Sequence, residues 1–139
     1  MHGLLVIDVQ NDFCRNGAFA VADGDAIVAG INAAMPRFDA VILTQDWHPV
    51  GHSRFASSHD AAPMSVTEMP YGPQVLWPDH CIQGSEGAAF HPELKVTRAD
   101  MIVRKGYNSA IVAIQRFSRM TTKRQLDCTA TCKPVGSRS

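Results

Sequence analysis

The sequence predicts an α/β fold, an open and mostly parallel sheet with helices on both faces. Residues 4–7, 40–43 and 101–103 are short, continuous apolar runs, which are typical of strands buried in a parallel sheet. Between the first two runs, residues 25–35 place apolar side chains at helical spacing, with Asp25 as the predicted N-cap. The resulting strand–helix–strand order is characteristic of a parallel sheet with crossover helices.

Length and composition indicate one domain and exclude several classes of function. Thirteen basic and thirteen acidic residues cancel among 139, so nothing in the net charge favours a nucleic acid or an anionic membrane as partner. No apolar run approaches the roughly 20 residues needed to cross a bilayer, and the start lacks the features of a signal peptide. The cysteines lack the spacing of a disulfide framework, so we expect a reduced, cytoplasmic protein. They are Cys14, Cys81, Cys128 and Cys132.

Three charged residues each stand at the carboxyl end of a predicted strand. Asp8 follows the first apolar run, Asp46 follows the second, and Lys105 follows the third. The carboxyl ends of parallel strands meet at one edge of the sheet, and ligands of open α/β folds bind there. The sequence therefore predicts a functional site at this edge.

Potential metal ligands cluster just after the second strand. Asp46, His48 and His52 form an Asp-x-His-x3-His pattern, and His80 follows within a long segment, residues 47–92, that lacks clear periodicity. One carboxylate with three imidazoles suits a borderline divalent ion such as Zn²⁺, Fe²⁺ or Mn²⁺. Histidines in a polar surface loop are the alternative, and spacing alone leaves both open. His59 and His91 lack such a context and are interpreted as surface residues, and His2 is interpreted as a terminal residue.

Four motifs together resemble the nicotinamidase/pyrazinamidase branch of the isochorismatase-like cysteine hydrolases. They are Val-Ile-Asp-Val-Gln-Asn-Asp-Phe-Cys at 6–14, Gln-Asp-Trp-His-Pro at 45–49, Trp-Pro-Asp-His-Cys at 77–81, and Lys-Gly at 105–106. The likeness extends from Met1 to about Ile111. It implies a Rossmann-like three-layer fold, incomplete here at the C-terminus.

The resemblance also implies a reaction, the hydrolysis of nicotinamide to nicotinic acid and ammonia in NAD salvage. Asp8 would be the general base and Lys105 the cationic member of a Cys-Asp-Lys triad. Phe13 and Trp77 match the aromatic residues that sandwich the pyridine ring; read without the resemblance, both are core residues. A single divalent metal, with Zn²⁺ preferred over Fe²⁺ and Mn²⁺, would bind the pyridine nitrogen. Its ligands would be Asp46, His48, His52 and His80.

The likeness ends near Ile111, before the segment that bears the family's nucleophilic cysteine. Reading the codons from Val112 onward in the next frame permits Ser-Tyr-Ser-Ala-Phe-Phe-Glu-Asn, which resembles the family's continuation. We therefore predict a family segment over 1–111 and a non-homologous, frameshifted tail over 112–139. Cys14 and Cys81 match family positions other than the nucleophile and are interpreted as small buried residues. The chain would then lack the nucleophile and be inactive; a non-catalytic metal-binding remnant is the alternative. Monomer and homo-oligomer both stay open.

Overall fold

The computed structural model describes residues 1–109, and they contain one parallel sheet, one α-helix and one small hairpin. The predicted tail, 112–139, lies outside the described residues. The elements are β1 (Gly3–Val6), α1 (Ile27–Ala34), β2 (Ala40–Asp46), β3 (Val66–Met69), β4 (Gly72–Val75) and β5 (Met101–Lys105). No helix in this part of the chain has the length and apolar composition to cross a membrane.

The sheet has the order β1-β2-β5, and both pairings are parallel, as the sequence predicts. In the register between β2 and β5, Asp46 is paired with Lys105. β2 is longer than its apolar run because its polar end, Thr44 to Asp46, continues the ladder to β5. The pairing therefore delivers charged side chains to one edge of the sheet.

The main hydrophobic core lies on one face of the sheet, where α1 packs. Val28 and Met35 of the helical segment pack with Val6, Val41 and Leu43 of the strands. On the opposite face, Leu5 is 49% exposed, and the β5 residues Met101 and Val103 are 56% and 36% exposed. Within residues 1–109, β1 and β2 are therefore covered on one face only, whereas their continuous apolar composition predicts burial on both.

The predicted N-cap at Asp25 is wrong. A 3₁₀ turn, Gly24–Ala26, precedes α1, whose N-cap is Ala26 without a side-chain hydrogen bond. The Asp25 carboxylate instead accepts the backbone N–H of Arg15 and lies 3.2 Å from His91 Nε2. His91 is thus a partly buried partner of Asp25 rather than a surface residue, because the chain returns over this turn after the long loop. His59 and His2 are exposed, as predicted.

The long segment without periodicity folds back on the sheet and contains the antiparallel hairpin β3–β4. Isolated bridges join His48 to Ile82 and Phe55 to Trp77. The hairpin escapes prediction because its strands have four residues each and β4 contains a proline. These bridges bring the region of His80 and Trp77 next to the end of β2.

The burial of Met35 supports a stability prediction. Met35 is 2% exposed in the core, whereas Met64 is 60% exposed. We expect Met35→Ala to lower the free energy of unfolding by about 2–5 kcal/mol, because it leaves a cavity under the sheet. Met64→Ala is the matched control and should change it by less than about 0.5 kcal/mol. Urea unfolding of both variants measures the difference; equal losses would contradict the placement of the core.

Candidate active site

The three charged residues at the carboxyl ends of the strands lie in contact, as predicted. Lys105 Nζ is 2.7 Å from Asp8 Oδ2 and 2.5 Å from Asp46 Oδ1. All three side chains are at most 17% exposed. Burial of the ammonium group disfavours its charge, but the carboxylates of Asp46 and Asp8 outweigh this effect and raise the pKa of Lys105. Lys105 is therefore a cation shared by two carboxylates.

Asp8 is held by the neighbouring strand. Its φ of 53° ends β1 in a left-handed conformation that aspartate tolerates better than most residues. The Thr44 hydroxyl donates a 2.6 Å hydrogen bond to Asp8 Oδ1, which leaves Oδ2 for Lys105. The two oxygens of this carboxylate thus have different partners, and Oδ2 is the one beside the cation.

A second group of ligand-type side chains adjoins this pair. Donor atoms of Asp46, His48 and His80 all lie within 4.8 Å of one another, and all three residues are buried. His48 Nε2 is 3.5 Å from Asp46 Oδ2, the carboxylate oxygen not used by Lys105. The sequence prediction that β2 and the later loop bring these residues together therefore agrees with the geometry.

The backbone fixes the orientation of both imidazoles. His48 Nδ1 is 2.9 Å from the Gly106 carbonyl, and His80 Nδ1 is 2.7 Å from the Pro78 carbonyl. Since a carbonyl only accepts, each Nδ1 carries a hydrogen, and Nε2 is the ring nitrogen of each residue that is left for a cation. Metal-binding histidines are commonly held in this way. The backbone of Asp46 is held in turn by buried Gln10, whose side chain bonds its N–H and its carbonyl, each at 2.8 Å.

The protonation states of these groups suit metal binding. Burial raises the pKa of Asp46, but the hydrogen bond from His48 and the charge of Lys105 outweigh it and lower that pKa to about 2. Burial lowers the pKa of His80, and this effect outweighs the hydrogen bond to the Pro78 carbonyl, which raises it. A charged carboxylate beside a neutral imidazole is the form in which both bind cations.

His52, the fourth predicted ligand, lies beside this group but not within it. Its ring centroid is 4.7 Å from that of His48, and the residue is fully buried. Its Nδ1 is 3.2 Å from the backbone nitrogen of Arg54, and its Nε2 has no hydrogen-bond partner in the described part of the chain. Burial, followed by the charges of His48 and Arg54, lowers the pKa of His52 to about 4. The three convergent donors of Asp46, His48 and His80 fit a divalent cation; the direct role of His52 stays a prediction.

An apolar pocket of about 520 Å³ opens beside these groups. Phe13 and Trp77, the predicted aromatic residues, both line it, and so does Phe19, whose ring centroid is 5.1 Å from that of Trp77. Its size and its apolar walls with few charged groups are those of a small-molecule site. The sequence does not single out Phe19 or Arg54; the only signal for Phe19 is an aromatic residue in the loop before α1. The polar members of the lining are Asp8, Thr44, Asp46, Arg54, His80 and Lys105.

Neither cysteine of the described part of the chain lines this pocket. Cys14 and Cys81 are both buried, as predicted. Burial, together with the charges of Asp46, Asp12 and Asp8, raises the pKa of Cys81 far above that of a free thiol. A thiol in that environment is not a nucleophile near neutral pH. Cys128 and Cys132 lie outside the described residues.

Gly106 supports a prediction about the metal group. Its φ is 72°, and a Cβ at this position would overlap the His48 ring. We expect Gly106→Ala to displace His48 and to weaken Zn²⁺ binding by about tenfold to a hundredfold, the usual cost of disturbing an outer partner of a metal ligand. Gly51→Ala is the control, because Gly51 has a similar φ of 73° but open space around its Cβ. Titration with a chromophoric chelator measures both; equal affinities would contradict the role of Gly106.

A profile of the isochorismatase domain matches residues 2–127 of the chain. The chain belongs to the isochorismatase domain family. The nicotinamidase of Acinetobacter baylyi is 46% identical over 115 residues, which make up 82% of this chain and 54% of that protein. The nicotinamidase of Escherichia coli is 42% identical over 118 residues, or 82% of this chain and 55% of that protein. The chain thus spans about half the length of the curated relatives it matches.

Solved structures of the isochorismatase domain family confirm the predicted α/β fold. A nicotinamidase/pyrazinamidase structure from Acinetobacter baumanii matches with a TM-score of 0.75 and 49% identity over 77% of this chain and 52% of that one. The pyrazinamidase of Pyrococcus horikoshii, solved in complex with zinc, matches with a TM-score of 0.61 and 30% identity over 80% of this chain and 55% of that one. The resemblance read from the four motifs is therefore confirmed.

Proposed function

We propose that this chain carries the metal- and substrate-binding half of an amide hydrolase that converts nicotinamide to nicotinic acid and ammonia. The observation that carries the proposal is the contact of Lys105 with both Asp8 and Asp46. Because of this contact, the Asp8–Lys105 pair lies next to the Asp46, His48 and His80 group, beside one aromatic-walled pocket. The similarity to nicotinamidases supports the choice of substrate.

Each pocket residue has a proposed role in this reaction. Asp8 accepts the proton of an attacking thiol through Oδ2, and Lys105 stabilises the resulting charges. Phe13 and Trp77 hold the flat ring between them, which orients the carboxamide toward the sheet edge. Asp46, His48 and His80, with His52 as the fourth predicted ligand, would hold a divalent ion, for which Zn²⁺ is the proposed identity. When bound, that ion supplies a Lewis acid for the pyridine nitrogen.

The proposed nucleophile has no candidate among residues 1–109, because neither of the two cysteines there lines the pocket. If, as predicted, residues 112–139 do not supply it either, the chain binds nicotinamide without hydrolysing it at an enzymatic rate. A non-catalytic metal-binding protein derived from such an enzyme is the second candidate. The buried Asp46, His48 and His80 group favours it, because that group needs no nucleophile.

The test compares two ligands that differ at one ring atom. Nicotinamide and benzamide have the same shape and carboxamide, but benzamide lacks the ring nitrogen. Calorimetric titration of the zinc-loaded chain should give at least about tenfold tighter binding of nicotinamide, one well-placed ligand bond being worth at least 1.4 kcal/mol. Equal affinity for the two would overturn the proposed substrate orientation.

Measurement of ammonia in the same samples separates the two candidates. No ammonia release together with selective nicotinamide binding supports an enzyme half without its nucleophile. Zinc binding without any nicotinamide binding supports the non-catalytic metal-binding protein. Ammonia release that is lost in Asp8→Asn would show that the chain possesses a nucleophile after all.

A further inference from the structure

Arg54 is a buried cation that the proposed reaction does not use. Its side chain lines the aromatic-walled pocket, yet the residue is only 8% exposed. Within residues 1–109, its Nε has no hydrogen-bond partner and no carboxylate lies within ion-pair distance of its guanidinium group. The Trp77 ring lies near that group, with its centroid 6.0 Å from Cζ. This distance is at the outer limit for a cation–π interaction.

A guanidinium group in such surroundings calls for an anionic partner. It carries five N–H donors in a planar fork and stays charged at every physiological pH. Burying a charge without a partner is strongly unfavourable, so buried charges in proteins are paired or bind ligands. Tyr71, which interacts electrostatically with Arg54, has a buried hydroxyl that also lacks a partner in the described part of the chain. Arg54 Nε and the Tyr71 hydroxyl are therefore two neighbouring hydrogen-bond donors without an acceptor in the described part of the chain.

The charge balance of the pocket points to the same kind of ligand. Its charged lining residues are two carboxylates, Asp8 and Asp46, and two cations, Arg54 and Lys105. The carboxylates are already engaged with Lys105, at 2.7 Å and 2.5 Å from its Nζ. A divalent ion held by Asp46 would leave the pocket with an excess of positive charge, and Arg54 would be the cation free to contact a ligand.

We propose that Arg54 forms a carboxylate-binding subsite within this pocket, for a planar aromatic acid. The inference rests on the proposed function and specifies its ligand class further. Bidentate pairing with the guanidinium fork would satisfy the unpartnered Nε and fix the plane of the ring that Phe13 and Trp77 are proposed to hold. Two sources share this chemistry: the acid produced by amide hydrolysis, and a second carboxylate on the ring of an amide substrate.

The experiment uses the full zinc-loaded chain and three probes. Nicotinate represents the product, 6-carboxynicotinamide represents a substituted substrate, and nicotinamide is the neutral reference. Each is titrated calorimetrically into the unmodified chain, Arg54→Met, Arg54→Lys and Arg98→Met. Arg98 is exposed and outside the pocket, so Arg98→Met is the matched control for loss of one positive charge.

The expected result is selective for the carboxylates. Arg54→Met should weaken the binding of nicotinate, 6-carboxynicotinamide or both by about tenfold to a hundredfold, the value of hydrogen bonds to a charged group. Nicotinamide binding should change by less than about threefold, within the scatter of a lost neutral contact. Arg54→Lys should recover part of the loss, because it restores the charge without the fork. A loss confined to nicotinate assigns the subsite to the product; a loss for 6-carboxynicotinamide assigns it to a substituted substrate.

Thermal melting distinguishes a ligand site from a structural arginine. If Arg54 awaits a ligand, Arg54→Met removes an uncompensated buried charge, and the unliganded chain should melt at the same or a higher temperature. A lower melting temperature of Arg54→Met, with that of Arg98→Met unchanged, would overturn the proposal. So would an equal loss of affinity for the carboxylates and for nicotinamide in Arg54→Met. Absence of carboxylate binding by the unmodified chain would overturn it as well. Loss of nicotinamide binding alone, with Arg54-dependent carboxylate binding intact, would sink the proposed function but leave the subsite standing.

Discussion

Lys105→Met is expected to lower the free energy of unfolding by about 3–5 kcal/mol, the usual cost of removing one partner from a buried ion pair. Asp8 and Asp46 would be left as two carboxylates without the ammonium group that contacts both of them. Methionine keeps the length and the apolar stem of the lysine, so packing contributes little to the loss. Urea unfolding in the presence of EDTA measures the effect without interference from bound metal.

Two further variants make the Lys105 result specific. Lys95→Met removes a positive charge from an exposed position and should change the unfolding free energy by less than about 0.5 kcal/mol. Adding Asp8→Asn to Lys105→Met removes one of the two carboxylates that have lost their ammonium partner, and it should restore part of the stability. If Lys105→Met were as stable as Lys95→Met, the contact with the two carboxylates would not exist in solution.

Asp46→Asn is expected to weaken Zn²⁺ binding by about a hundredfold or more, above the usual cost of disturbing an outer partner of a metal ligand. The substitution keeps the shape of the side chain and the backbone hydrogen bonds to Gln10, but it removes the charge that faces His48 Nε2. Competition with a chromophoric chelator gives the affinity. Asp60→Asn, at an exposed position outside the pocket, should bind Zn²⁺ like the unmodified chain. Equal affinities of the two variants would place the ion elsewhere.

The residues that meet at the edge of the sheet can be predicted from the sequence, because strand pattern and parallel pairing determine them. Continuous apolar runs mark β1, β2 and β5, and parallel pairing alone then requires Asp8, Asp46 and Lys105 to meet. The same rules also explain why His48, two residues beyond the end of β2, lies close to them. These predictions depend on local pattern and on sheet geometry, and both are legible in one sequence.

The remaining features depend on the path of loops, which no local pattern specifies. Arg54 and Phe19 face the pocket because residues far apart in sequence pack around them, among them Trp77. Asp25 follows the rules for an N-cap, but tertiary contacts with Arg15 and His91 determine its actual position. The β3–β4 hairpin is similarly hidden, since its strands are short and its pairing depends on neighbours that the sequence does not identify.

X-ray absorption at the zinc K-edge of the loaded chain tests most directly whether an ion binds beside the Asp8–Lys105 pair. We predict that zinc has only nitrogen and oxygen neighbours, at about 2.0–2.2 Å, with imidazole scattering from at least two histidines that decreases in His80→Ala. The number of imidazoles would also decide whether His52 is a ligand. A sulfur neighbour at about 2.3 Å would instead place zinc on the cysteines and contradict the account.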